Sequence, residues 1–210
     1  MMTETNAVVH IRRSFTVALL VLVMLAAVCQ RHLEMMLHAS LSIQRQMRDS
    51  CSGREVYDLL RVMRCFPVEE KDACDFQDGY GDGRTYGGKR THEGIDVMSR
   101  SGKRGELTVQ SVSEGVVEKV GWLPLGGYRV GIRSPEGYYF YYAHMEKYAP
   151  GIREGQKIHA GQALGLMGDT GYGKEGTRGK FPVHLHFGIY RRNHGSEESL
   201  NPYYLLKYLN

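Results

Sequence analysis

Val183-His184-Leu185-His186-Phe187 carries two imidazoles one residue apart inside an apolar run. On a β-strand side chains alternate, so His184 and His186 share one face while Val183, Leu185, Phe187 and Ile189 turn to a core. Two imidazoles so placed start ~7 Å apart, which lets one bind a metal while the other faces whatever the metal binds. Thr91-His92-Glu93-Gly94-Ile95-Asp96 adds a histidine and an aspartate four apart. A helix would put both on one face, but Gly87, Gly88 and Gly94 argue for loop and strand, so a bend must bring them together. Imidazole nitrogen and carboxylate oxygen are both good zinc ligands. His144 ends the aromatic run Tyr138–Tyr142 and Ala143, and alternation assigns Tyr138, Phe140, Tyr142 and His144 to one face. Glu93 invites comparison with HExxH metalloproteases, where glutamate is the base. Asp96, not histidine, stands at the fourth step after His92, so Glu93 reads as a neighbour of the site or a solvated side chain. His10, His32, His38, His159 and His194 lie in no such pattern.

The elements that must position these residues are short strands. Leu107–Val112, Gly115–Trp122, Tyr128–Arg133, Tyr138–His144, Gln162–Met167 and His184–Tyr190 have strand character and are separated by turns. Ser134-Pro135-Glu136-Gly137 has the proline and glycine positions of a type I turn. The 26 glycines and 14 tyrosines fit the same picture. No βαβ rhythm appears, so the expected class is mainly β: an antiparallel sheet, sandwich or half-barrel. Gly79, Gly81, Gly83, Gly87 and Gly88 make a loop-rich approach to His92. The Gly168–Pro182 loop is expected to border the groove, and Tyr128, Tyr142 and Tyr172 to line it. A short helix is expected over Asn201–Asn210.

The N-terminal part differs in character. Residues 1–14 are polar and end in Arg12-Arg13; Phe15–Cys29 is apolar apart from Thr16. A helix of that run spans roughly 22 Å against ~30 Å of hydrocarbon; Leu33, Met35, Met36 and Leu37 extend it if Arg31 snorkels. The alternative is a cleaved secretory signal, but Val28 stands where a small residue is wanted. The basic flank puts residues 1–14 in the cytoplasm and the rest outside. The expected layout is a cytoplasmic N-terminus (1–14), a transmembrane anchor or signal segment (15–37), a helical stalk or linker (38–65) and a folded domain (66–210). Residues 31–64 read as helix, with Ser52-Gly53-Arg54-Glu55 as a capping box. Cys29, Cys51, Cys65 and Cys74 lack CxxC spacing, which speaks against a zinc finger; Cys65 and Cys74 are a disulfide or free thiols. The net charge of +4 suits an anionic surface and is too weak to argue nucleic acid.

Together HEGID, YAHM (Tyr142–Met145), GDTG (Gly168–Gly171) and HLHFGIY resemble, in order and rough spacing, the lysostaphin/LytM-type zinc endopeptidases, the M23 peptidases. The similarity covers about residues 66–205 and includes Arg84-Thr85-Tyr86-Gly87-Gly88, Ser113–Val117, Gly155-Gln156, Gly161-Gln162 and Asn201-Pro202. It implies that His92, Asp96 and His186 hold Zn2+, with a fourth position open for water. It implies that His144 and His184 are the catalytic pair, without dividing their roles. It also implies a membrane-anchored endopeptidase acting on peptidoglycan stems or cross-bridges outside the cell membrane, or secreted after signal cleavage. The alternative is a non-catalytic or latent domain of this type that regulates wall hydrolases or serves as a sporulation or envelope scaffold. In the latent case, the 31–64 helix, through His32 or His38, would fill the open metal position.

Overall fold

The computed structural model of the protein describes residues 2–46, 52–86 and 88–210. A long helix α1 (Met2–Gln46) is followed by α2 (Gly53–Val62) and a single 3-10 turn at Lys71–Ala73. The strands are β1 (Cys74–Phe76), β2 (Gly83–Arg84), β3 (Arg90–Thr91), β4 (Ile95–Ser99), β5 (Thr108–Gln110), β6 (Gly115–Leu123), β7 (Gly127–Arg133), β8 (Tyr139–Tyr148), β9 (Lys157–Ile158), β10 (Ala163–Met167), β11 (His184–Asn193) and β12 (Ser196–Leu200). Helix α3 (Tyr203–Leu209) closes the chain. Among the described residues, ten strands form one sheet in the order β1-β4-β11-β8-β7-β6-β9, with β12 paired to β11 and β10 to both β5 and β8. Strands β2 and β3 form a separate hairpin. All pairings within these strands are antiparallel, so the mainly β, antiparallel class read from the sequence is the class observed.

Alternation explains the core. On β11, Leu185, Phe187 and Ile189 are fully buried, with Val183 just before the strand nearly so. Val97 and Ile95 on β4 and Phe140 and Tyr142 on β8 join them in one apolar cluster. Tyr142 is inaccessible, and its hydroxyl accepts a hydrogen bond from the Val112 backbone N–H at 2.9 Å. It therefore packs under the sheet and does not line a groove. A buried phenol needs such a partner to offset lost hydration.

The helical region is not one helix over 31–64. Helix α1 runs to Gln46, residues 47–51 (Cys51 among them) lie outside the described residues, and α2 starts afresh. Ser52 caps α2: its side chain accepts from the Glu55 N–H, and Glu55 accepts from the Ser52 N–H. Val56, Leu59 and Leu60 bury one face of α2 in the main core, and Glu55 pairs with Arg191 of β11. Helix α1 joins the body at Met36 and Ile43, packing near α2 and α3. Neither His32 nor His38 lines the histidine cleft described below, so the self-blocking contact considered for them is not made. Thr16–Gln46 is long and apolar enough to cross a membrane, and Val17–Leu25 lies open, without protein cover. By length and composition this helix suits a membrane anchor or a signal sequence. Cys65 and Cys74 are free thiols; the Cys65 thiol lies 3.2 Å from the Ser111 carbonyl.

Candidate metal centre and active site

Three adjacent strands carry the site. In the β4–β11 register Asp96 lies directly opposite His186, and in the β11–β8 register His186 lies opposite Ala143. Asp96, His186 and the end of the aromatic strand are thereby brought side by side. His92 arrives from the bend between β3 and β4. Its backbone N–H donates to Asp82 O at 2.9 Å and its carbonyl accepts from Gly81 N–H at 2.8 Å. The glycine-rich approach thus wraps His92 and buries it. Gly94 makes the bend possible: a Cβ there would lie 2.5 Å from the Phe187 carbonyl oxygen and 2.8 Å from His186 Cε1.

The polar atoms converge closely. His92 Nε2 lies 3.0 Å from Asp96 Oδ1 and 2.9 Å from His186 Nδ1, while His186 Nδ1 lies 3.1 Å from the same Oδ1. The other side of each group is tied down. His92 Nδ1 is 2.8 Å from Gly79 O; a carbonyl only accepts, so Nδ1 carries the proton and Nε2 presents a lone pair. Asp96 Oδ2 accepts from Arg84 at 2.7 Å. With the His92 proton on Nδ1, two lone pairs, on His92 Nε2 and Asp96 Oδ1, face each other, and one proton on His186 Nδ1 satisfies only one of them. A cation satisfies all three. Donors around a tetrahedral zinc at ~2.0–2.1 Å are ~3.3 Å apart, close to the separations here, so two imidazoles and a carboxylate fit zinc in both chemistry and spacing. Outer partners such as Gly79 O and Arg84 orient metal-binding groups of this kind.

His144 and His184 stand beside this triad. Their rings are 4.7 Å apart, and His184 Nε2 lies 3.6 Å from Asp96 Oδ1. Each is held through Nδ1 by a backbone carbonyl, His144 by Thr170 and His184 by Pro182, both at 2.8 Å. Both Nε2 atoms are therefore acceptors in the neutral ring. The sharing of a face by His184 and His186 is observed. The alternation expected for His144 is not, since Tyr142 points into the core. The cause is a break in β8: the β7–β8 register shifts between Tyr128 and Val130, and His144 has φ 63°. Thr170 fixes the kink. Its carbonyl accepts from His144 Nδ1–H, while its hydroxyl donates to Met145 O at 2.7 Å and accepts from Tyr128 N–H at 3.1 Å. The GDTG motif thus acts structurally, by aiming His144.

Burial lowers the pKa of His144 well below the ordinary histidine range, reinforced by the nearby imidazoles. Burial also lowers His184 and His186, against the pull of Asp96. For Asp96, burial acts upward, but the surrounding imidazoles outweigh it and hold the carboxyl well below the usual range. All four shifts are downward, so the unfolded chain binds more protons than the folded one in mild acid, and stability rises with pH there. We expect the melting temperature of the metal-free protein to hold above pH 6.5, the ordinary histidine value, and to drop on going to pH 5. A flat profile in thermal unfolding followed by circular dichroism over that interval would contradict this.

The five residues open into a cleft of about 420 Å³. Tyr172, Phe181 and Pro182 of the 168–182 loop form one wall, as expected for that loop. Tyr172 is a lining residue; Tyr128 is not. Tyr172 has φ 55°, stacks on Tyr86 at 4.1 Å and receives the Tyr86 hydroxyl on its carbonyl at 2.6 Å. Glu93 is exposed at the rim, 3.5 Å from the Tyr190 hydroxyl. Arg84, Arg90, Tyr141 and Tyr190 also line the cleft, and no role was read for them from sequence. Their signal was the glycine-rich arginine–tyrosine run at 84–90 and, for Tyr141, its place two residues before Ala143 on the opposite face from Tyr142.

The antiparallel sheet and its histidine-lined cleft match those of a peptidase class: the chain belongs to peptidase family M23, whose profile matches residues 90–202. The L-Ala–D-Glu endopeptidase of Bacillus subtilis is 44% identical over 138 residues, covering 66% of this chain and 41% of the relative. The chain thus spans well under half the length of that curated relative. A structure from Ruminococcus gnavus, described as a LytM-type glycyl-glycine endopeptidase, superposes with TM-score 0.66 at 39% identity, covering 80% of this chain and 70% of that one. The catalytic domain of lysostaphin from Staphylococcus simulans superposes with TM-score 0.50 at 26% identity, covering 65% of this chain and 95% of that domain.

Proposed function

We propose that this chain is a zinc-dependent endopeptidase that hydrolyses peptide bonds of peptidoglycan, held by its N-terminal helix outside the cytoplasmic membrane. The observation carrying this reading is the convergence of His92, Asp96 and His186 on one point beside two buried, neutral histidines in an open cleft. His92 through Nε2, Asp96 through Oδ1 and His186 through Nδ1 would hold the metal. Zinc supplies Lewis acidity toward the scissile carbonyl and a water of lowered pKa. The chain's own residues do the rest. His144 and His184 are neutral with Nε2 free, so one of them takes the proton of the attacking water at Nε2 and the same ring, now an imidazolium, returns that proton to the leaving amine. Once protonated, an imidazolium also donates to the developing oxyanion. Tyr172 and Phe181 wall the cleft and restrict water around the histidine pair.

The B. subtilis relative is named for cutting between L-Ala and D-Glu, and by its 44% identity it favours a bond of the stem peptide here over a glycine cross-bridge. Filled positions at all five site residues weigh against the regulatory or scaffold alternative.

The test is mass spectrometry of fragments released from purified sacculi by the detergent-solubilised full chain, loaded with zinc, with and without a chelator. Chelator-sensitive release of peptide fragments is expected. No release by folded, zinc-loaded protein would overturn the enzymatic reading.

A further inference from the structure

We propose that Arg90 recognises a carboxylate on the substrate residue that donates the leaving amine, making the cleft selective for an acidic residue at the cut bond. The inference rests on the peptidase reading and deepens it.

The observation is an unmatched guanidinium. Arg90 lies on β3, two residues before His92, and lines the cleft. Its Nε is buried and has no hydrogen-bond partner. The hydrogen bond it does make is from Nη2 to the Tyr172 hydroxyl, at 3.2 Å. Among the described residues no carboxylate pairs with it. The other arginine of the cleft differs: Arg84 is already committed to Asp96 Oδ2. Two arginines outside the cleft are also committed, Arg178 to Glu146 and Arg104 to Asp169.

Leaving a half-buried guanidinium without a counter-charge is unfavourable unless a ligand supplies one. The planar fork of arginine matches a carboxylate through two parallel N–H groups. The fork is also held in place from behind. The phenol that Arg90 touches belongs to Tyr172, which is pinned by its stack on Tyr86 and by edge contact with Phe181 at 4.8 Å. Tyr172 in turn meets the His144 ring at 6.2 Å. Arg90 is thus one side chain away from the proposed proton-transfer pair, on the wall of the same cleft. A carboxylate on the residue flanking the scissile bond would neutralise it; a chain of glycines would leave it unmatched.

The test uses the zinc-loaded full chain in detergent and two synthetic peptides differing in one group. Both are L-Ala–D-Glu–L-Lys, continued through the D-Glu side-chain carboxyl; one has a free α-carboxylate and the other an α-carboxamide. Cleavage gives kcat/KM, and calorimetry on the His144→Ala background gives affinity. The wild-type arginine is expected to favour the acid by about 10- to 100-fold in both readouts, as for a charge-assisted pair. Arg90→Gln should bring the acid/amide ratio to within about twofold of unity, and Arg90→Lys, which carries the test if the glutamine variant is misfolded, should restore part of it. Equal handling of the two peptides by the wild type would overturn the inference while leaving the peptidase reading intact. A preference that survives Arg90→Gln would also overturn it, including the case where both peptides weaken together because Tyr172 has moved. A binding preference without cleavage of either peptide would overturn the peptidase reading and leave the inference standing; absence of binding to both would overturn the two together.

Discussion

Asp96→Ala is expected to strip the chain of zinc and to reduce peptide cleavage to background while leaving the β-sheet folded. Asp96 Oδ1 is the atom to which both His92 and His186 converge, at 3.0 and 3.1 Å, and it carries the only negative charge of the donor set. Its removal leaves two imidazoles, which bind a divalent ion weakly without the carboxylate. Partners that only orient a ligand typically contribute ~10–100-fold in metal affinity; loss of the carboxylate itself should exceed that range. Arg84→Ala, which frees Oδ2 alone, should fall within it. Zinc content by mass spectrometry after dialysis against a competing chelator, with circular dichroism as the folding control, gives the comparison. Stoichiometric zinc in folded Asp96→Ala would place the donor set elsewhere, with His184 the first residue to consider. In the same assay, loss of zinc from His184→Ala but not from His186→Ala would reverse the roles proposed for the HLH pair.

His144→Ala is expected to give the opposite split: zinc retained and turnover lost by about 10²–10⁴-fold, the range for removing a positioned acid or base. Among the described residues the ring belongs to no convergent donor group. Its Nδ1–H is spent on Thr170 O, and burial keeps it neutral at pH 7, so a free Nε2 acceptor faces the cleft. Alanine removes that acceptor without touching His92, Asp96 or His186. The zinc measurement and single-turnover cleavage of a stem peptide decide it. Turnover within about threefold of the parent, with zinc present, would exclude His144 from proton transfer and favour a role in binding alone.

Much of the site was legible because it follows from local rules. The period-2 alternation of Val183–Ile189 placed His184 and His186 on one face and a core on the other, and β11 carries them so. Ser52 and Glu55 announced a helix start through complementary side-chain and backbone hydrogen bonds, and α2 begins there. Within 31–64 the Ser52 cap was the legible break; the packing of α2 into the domain core was not, because it depends on residues far along the chain, Arg191 among them. Tyr142 was placed on the groove for a related reason. Alternation predicts a face only while the strand stays regular, and β8 does not.

The chain's own sequence determined which chemistry is available: a histidine–aspartate bend, a histidine pair on a strand, and a third histidine after an aromatic strand, all carried on short antiparallel strands. Residue types and local periodicity are enough for that, since they act over a few bonds. Only the tertiary structure decided how these groups meet. Cross-strand register puts Asp96 opposite His186. The Thr170 clamp on the β8 bulge turns His144 out of the core and into the cleft. The hairpin carrying Arg84 and Arg90 stacks Tyr86 on Tyr172, leaving one guanidinium paired and the other free. These contacts join residues tens of positions apart, and their geometry is set by sheet pairing and packing, which no local pattern encodes.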